Sequence, residues 1–291
     1  MIEFDGSDFI EEIEALSEEY KYFEDAQRDI EELYENDRRR VYYIRQLQVK
    51  FEKKYFHWIT YHVLRYLNDL EKLEVIERKQ KDGTTRHFYI HQSNRYPVRK
   101  INEMEKIINE FSQDHITRSC GRRAEDLFCL GLTKKGFRVR AEKVREFNGK
   151  KWERTGHDLD YVFERDGINY GCEIKNTLSY IEKNELETKI KMCEFFKVRP
   201  LFIMRFAPKS YINEINKKGG FALIFKYQLY ELSQINLVKK IKEVLEMPVG
   251  CPGAIEEGTI KRFENWHIKQ KDVNSKKIHK KKILITLKSR T

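Results

Sequence analysis

Long apolar runs are missing from this 291-residue chain, so no stretch reads as a membrane span. Residues Met1 to Tyr20 are acidic where a signal peptide would be basic. These absences lead to the expectation of a cytoplasmic protein with no membrane partner. Cysteine is scarce: Cys120, Cys129, Cys172, Cys193 and Cys251 are scattered without CxxC spacing, which reads as reduced thiols and not as a disulfide framework. His57, His62, His87 and His91 lack zinc-ligand spacing and have no cysteine nearby, so they are expected on a surface or in a groove. Internal repeats and long low-complexity segments are also absent.

What the chain has in abundance is charge. Charged residues make up 36% of it and the formal net charge is +10, yet the apolar fraction of 40% still allows a real core. The length predicts about two domains. The charge is unevenly placed: residues 1–40 hold fifteen Asp/Glu against five Lys/Arg, leaving +20 on the remainder. Such a field favours a polyanion, although Lys and Glu enrichment also solubilises without implying a partner.

The most informative stretch runs from Gly156 to Lys175, GHDLDYVFERDGINYGCEIK. Asp166-Gly167 is a strong hairpin signal with apolar and polar residues alternating on both sides. With those two residues as the loop, Arg165 pairs with Ile168. Asp160 then falls opposite Glu173, and Asp158 opposite Lys175, all four on one face. Leu159, Tyr161, Phe163, Cys172 and Ile174 form the opposite, apolar face, suited to packing against a helix. Carboxylates so gathered repel one another unless a cation sits between them. Glu-x-Lys alone says little, because it recurs at Glu19, Glu52, Glu77 and Glu187; only the copy at Glu173 follows an acidic strand and a DG turn.

This constellation resembles the active site of the PD-(D/E)XK nuclease superfamily, which includes many restriction endonucleases and archaeal Holliday-junction resolvases. The resemblance implies a phosphodiester hydrolase with Asp160 and Glu173 as ligands of Mg²⁺, Mn²⁺ being able to substitute, and Lys175 near the attacking water. Oxygen donors suit such a hard cation. Arg118 to Phe137 reads as a helix with Leu127, Phe128, Leu130 and Leu132 buried and Gly136 as its stop. Resolvase-like members carry a metal-side glutamate on such a helix, a place that Glu125 fits and that adjacent Asp126 could take. Asp158 is a secondary candidate, and the Ile174 carbonyl is a further ligand implied by the family. Helices over Asn184 to Lys197 and Ser210 to Lys218, with apolar strands over Arg199 to Phe206 and Phe221 to Leu229, predict a mixed α/β sheet covered on both faces. The order matches the superfamily. Lys189 and Lys191 are expected to be solvated or to contact phosphate; Asn176 and Tyr180 are weak candidates for positioning substrate.

Upstream, a short helix around Lys50 to Trp58, a second helix over Thr60 to Leu73, and strands over Val75 to Lys79 and Arg86 to His91 resemble a winged helix-turn-helix domain. The resemblance implies a helix in the major groove, with contacts from His57, Thr60, Tyr61, His62 and Arg65, and a wing contributing Lys79, Lys81, Thr84, Thr85 and Arg86. A purely structural or protein-binding role is the alternative.

In the acidic segment, Phe9, Ile13, Leu16, Tyr20, Phe23, Ile30 and Tyr34 follow helical seam spacing, with Gln27 filling one position. Such a helix could form a homodimer, fold back on a basic groove, or simply pack on the winged region. At the other end, Lys261 to Thr291 holds eleven Lys/Arg against two acids. Lys276 to Lys282 followed by Ile283 to Leu287 could be a basic strand, a phosphate-gripping tail or a solvated one. Met247 to Gly258, with two prolines and three glycines, reads as the close of the catalytic domain.

The expected fold class is therefore α/β, a restriction-endonuclease-like mixed sheet flanked by helices plus an N-terminal helical and winged-helix domain. The divisions are an acidic amphipathic helix over 1–40, a winged-helix-like DNA-binding domain over 41–110, the nuclease domain over 111–258 and a basic segment over 259–291. The expected function is restriction-like cutting of duplex DNA. Junction resolution, repair, an RNA-directed nuclease, or DNA binding without catalysis on the same scaffold remain open.

Overall fold

The computed structural model describes residues 6–80 and 82–271, with side chains described from residue 21 onward. Lys81, the seam side chains Phe9, Ile13, Leu16 and Tyr20, and the run from Lys276 to Leu287 lie outside the described residues. Among the described residues no helix is long and apolar enough to cross a membrane. The chain divides into two units, one formed by Met1–Gln113 with Asn236–Met247, the other by Asp114–Ile235 with Pro248–Thr291. The chain is thus mixed α/β, with helices and sheet in both units.

The first unit is built from α1 (Gly6–Asn36), β1 (Val41–Tyr43), α2 (Ile44–Phe51), α3 (His57–Asp69), β2 (Leu73–Lys79), β3 (Thr85–His91) and α4 (Val98–Phe111). Its sheet is antiparallel with strand order β1-β3-β2. Apolar residues at helical spacing drive the packing: Ala26, Ile30 and Tyr34 of α1 close over Ile59, Val63, Leu64 and Leu67 of α3. The Tyr34 hydroxyl donates to the Tyr89 carbonyl at 3.1 Å, so this end of α1 is fixed to the sheet. The seam from Phe23 onward is therefore consumed inside the unit. Ala26, fully buried, occupies the position expected of half-buried Gln27.

The second unit begins with α5 (Asp114–Lys134), β4 (Arg138–Val144) and a short pair, β5 (Glu146–Phe147) and β6 (Lys150–Lys151). The hairpin β7 (Leu159–Arg165) and β8 (Ile168–Lys175) follows, then α6 (Lys183–Phe196), β9 (Arg199–Met204), α7 (Lys209–Lys217) and β10 (Phe221–Ile224). Strand order is β10-β9-β8-β7-β4, antiparallel from β4 to β8 and parallel from β8 to β10. Asp166 and Gly167 have φ of 53° and 73°, the left-handed pair that a two-residue hairpin loop requires. Their loop sets Arg165 against Ile168, as the sequence predicts.

Both sheet faces are covered. Leu127, Phe128 and Leu132 of α5 pack on Tyr161, Phe163, Tyr170, Cys172 and Ile174, and α6 lies on the other side over Val162. Gly171 permits that approach, since a Cβ there would stand 2.7 Å from the Cys193 sulfur. Three expectations need correction. Leu130 is 50% exposed, turned off the α5 stripe by the helical period. Leu159 packs with Val144, Trp152 and Val162 on the α6 side instead of with Tyr161, at the end of β7 that lies past the last β7–β8 pair, Tyr161↔Cys172. The basic C-terminal segment starts as core: helix 257–271 buries Phe263 against Phe137 at 4.8 Å. His267 lies under it, with Tyr170 Oη 2.7 Å from its Nδ1 and Asp166 Oδ2 3.2 Å from its Nε2.

Candidate active site

Where the β7–β8 ladder stops, a side chain takes over. Asp160 Oδ2 accepts the Ile174 N–H at 2.6 Å, standing in for the carbonyl that a longer β7–β8 ladder would have offered. Glu173, 2% exposed, and Lys175 leave β8 on one side, two residues apart. Lys175 Nζ lies 3.1 Å from Glu173 Oε1 and 2.7 Å from Glu185 Oε1 on α6. From the same helix Lys189 reaches Glu173 Oε2 at 2.6 Å and donates to the Asp158 carbonyl. Each oxygen of the buried Glu173 carboxylate thus faces an ammonium.

Burial dominates the electrostatics. It pushes Asp160 up to about 6, against the opposing pull of the Ile174 N–H and the Lys189 charge. Burial and the Asp160 charge raise Glu173 to about 7 in spite of both lysines. Burial also raises Glu125, where Lys143 works against it while Asp126, Glu173 and Asp158 add to it. For Lys175 burial alone would lower the pKa, but Glu173 and Glu185 outweigh it and hold the ammonium charged. Burial thus leaves these carboxylates, when ionised, short of solvation.

That shortage fits a divalent cation, and so does the donor set, since Mg²⁺ takes one or two carboxylates and keeps its remaining waters. Asp160 and Glu173 supply two oxygen ligands of this kind. Among the described residues, however, no three His, Cys, Asp or Glu side chains converge into a metal-holding group. Glu125 acts on Asp160 through its charge and stands half-buried on α5. Asp158 precedes β7, and its side chain is 44% exposed with Oδ1 at 4.0 Å from Lys189. Neither expected cross-strand pair, Asp160–Glu173 or Asp158–Lys175, is therefore formed, because the ladder has already ended at Tyr161↔Cys172.

Lys189 is the main correction at this site: instead of being solvated it is 4% exposed and ion-paired. A signal for it exists in the sequence, because Leu186, Ile190 and Cys193 form the buried stripe of α6 and Lys189 lies within that stripe. Lys191 is exposed, as expected, 4.0 Å from Glu187. Asn176 serves structure: it is buried, its Nδ2 donates to the carbonyls of Cys120 and Leu229, and its Oδ1 accepts the Leu229 N–H. Tyr180 packs against Phe206 and Tyr211.

In the first unit the expected contacts separate. Thr60 is fully buried and His57 is 7% exposed, so neither is a surface contact. Thr60 shares the inner stripe of α3 with Val63, Leu64 and Leu67, while His57 Nδ1 stands 3.3 Å from Arg45. Tyr61 is half-buried, and His62 and Arg65 face solvent beside Trp58 and Tyr66. On the β2–β3 hairpin Lys79 and Thr84 are exposed and Thr85 is half-buried. Arg86, also half-buried, donates to Asn109 Oδ1 at 2.6 Å. A scan against protein-family models finds no match for this chain, and neither do comparisons with curated proteins and with solved structures.

Proposed function

We propose that this chain is a metal-dependent DNA endonuclease of the PD-(D/E)XK type, hydrolysing phosphodiester bonds with a restriction-endonuclease-like second unit. The observation that carries the reading is the buried group at the end of the hairpin: Asp160 and Glu173, both held above the ordinary carboxylate range, with Lys175 ion-paired beside them. Asp160 and Glu173 would hold Mg²⁺, with Glu125 the third carboxylate within electrostatic reach. The bound ion would supply charge neutralisation at the phosphate and a more acidic water. Lys175, kept charged by Glu185, would place an ammonium where negative charge develops in the transition state. Lys189 and Lys175 together fix the orientation of the Glu173 carboxylate, one on each oxygen.

We also read the first unit as a winged helix. Its element order, helix-strand-helix-helix-strand-strand, and its sheet order β1-β3-β2 support that reading. His62 and Arg65, with Tyr61, would face the major groove, and Lys79 and Arg86 the phosphate backbone. A homodimer would bring two catalytic centres to the two strands of a duplex.

A second reading, a DNA-binding protein without catalysis, is favoured by one observation: both Glu173 oxygens already have ammonium partners, and no three-ligand group is formed among the described residues. One experiment separates the two. Supercoiled plasmid and a four-way junction are incubated at low salt with Mg²⁺, Mn²⁺ or EDTA, using the native chain, Asp160→Asn and Lys175→Ala. The nuclease reading expects metal-dependent cutting that each substitution lowers by about 10²-fold or more, and the fragments report sequence or structure preference. Binding without cutting under any divalent metal sinks it in favour of the second reading.

A further inference from the structure

The connection between β4 and β7 contains more organised cationic chemistry than a linker needs. From Lys143 to His157 it has five Lys/Arg against two Glu. It is a built element: β5 and β6 turn tightly at Asn148 and Gly149, both with left-handed φ. Trp152 is the bolt, 4% exposed, its ring edge-on to Phe195 at 5.6 Å and its Nε1 donating to Thr155 Oγ1 at 2.9 Å. Lys150 fastens the same hairpin to the Phe195 carbonyl at 3.0 Å. Arg154 lies over the outer face of Trp152 at 5.5 Å, and Arg145 leans on the Thr155 carbonyl at 3.4 Å.

Both ends of this element join the strands around Asp160: Lys143 lies in β4, and His157 leads into β7. His157 precedes Asp160 by three residues, about 10 Å of extended chain. Lys143 sits between the pairs Glu142↔Tyr161 and Val144↔Leu159, hence alongside Asp160. Its φ of 48° is a left-handed backbone that a side-chain-bearing residue adopts only at a cost, at a place where glycine would have none. Its side chain is exposed, and its charge acts on Glu125. Lys151 pairs with Glu153, whereas Lys143, Arg145 and Arg154 form no ion pair among the described residues.

We propose that Lys143 to His157 is a preformed arm that grips the backbone phosphates of duplex DNA beside the bond to be cut, through Lys143, Arg145 and Arg154. The proposal rests on the nuclease reading and adds to it where the substrate lies. Cations carried on a backbone already fixed by Trp152 and the β5–β6 pair lose little backbone freedom on binding, which suits phosphate contacts that set register and do not read sequence.

The test uses the full chain and a labelled duplex in EDTA, with affinity followed by fluorescence anisotropy from low to high salt. Arg145→Ala/Arg154→Ala is expected to lower the slope of log K against log salt by about 2, and Lys143→Gly by about 1. Thermal midpoints should hold for the double variant and rise for Lys143→Gly, whose backbone strain is relieved. Unchanged slopes in variants that bind as the native chain does overturn the arm and leave the nuclease reading standing. A native chain that binds no DNA at any salt overturns both. Because Arg154 lies over Trp152, loosening of the hairpin in the double variant would show as a fallen midpoint; charge-keeping Arg145→Lys/Arg154→Lys must then restore the slope, and its failure to do so also overturns the arm.

Discussion

The two units handle charge in opposite ways. In the first, the cations expected to meet DNA stand at the surface: Arg65 and Lys79 are exposed, and Arg86 is tied to the neutral Asn109. Water screens them, so each acts nearly alone and contributes little to folding. In the second, Glu173 and Lys189 are taken out of water together and Lys175 and Glu185 are joined to them. Removing any one leaves another uncompensated, so their effects are coupled. A surface of independent cations suits adhesion to a polyanion; a buried, interlocked group suits holding reacting atoms in place.

The sharpest way to break this contrast is Lys189→Met. It should destabilise the fold by about 3–5 kcal/mol in urea unfolding at pH 8, where Glu173 is ionised. The loss should shrink at pH 5, where Glu173 can bind a proton instead, and adding Glu173→Gln should cost less than the two single effects combined. A cost equal to that of a surface lysine would mean the pair does not interlock.

Next comes pH. Asp160 near 6 and Glu173 near 7 bind more protons folded than unfolded, where carboxylates titrate near 4. Their contribution to stability is therefore full below about pH 4 and is lost as pH rises through about 7. Binding of Mg²⁺ should reverse this by displacing protons. Thermal midpoints should rise more with Mg²⁺ at pH 8 than at pH 5, and calorimetry near pH 6.5 in two buffers should show proton release. An ion that binds without releasing protons would exclude Asp160 and Glu173 as its ligands.

In the first unit the expected effects are smaller and separable. Arg65→Ala should lower the salt slope of duplex binding by about 1 while stability stays within about 0.5 kcal/mol. Thr60→Val should do the reverse. Its buried hydroxyl has no hydrogen-bond partner among the described residues, so removing it should leave DNA affinity unchanged and alter stability by at most about 1 kcal/mol, towards greater stability. In the second unit, Tyr170→Phe removes the hydrogen bond to His267 and should cost about 1 kcal/mol in urea unfolding.

Local rules make much of this fold legible in the sequence. The DG loop needs two left-handed residues and sets the register from Arg165↔Ile168 as far as Tyr161↔Cys172, which puts Glu173 and Lys175 on one side of β8 just past the last pair. Period-two and period-3.6 patterns likewise locate β9, α7 and the inner stripe of α3. Reading fails where two elements compete for one residue. Thr60 and His57 look like groove contacts until the stripe they share is covered, and Leu130 looks buried until the phase of α5 is set against the sheet. Lys189 fails for the opposite reason, because a lysine is rarely buried unless a partner awaits it.

The order of amino acids is thus enough for the hairpin, its register as far as Tyr161↔Cys172 and the mixed α/β class, because these follow from turn chemistry and side-chain period along neighbouring residues. Folding in three dimensions selects which charges are buried, closes Lys189 on Glu173, makes Asp160 the cap of a broken ladder, and completes the core with helix 257–271. Those outcomes depend on groups far apart in the chain meeting in a space that excludes water, where the cost of an unpaired charge selects its partner.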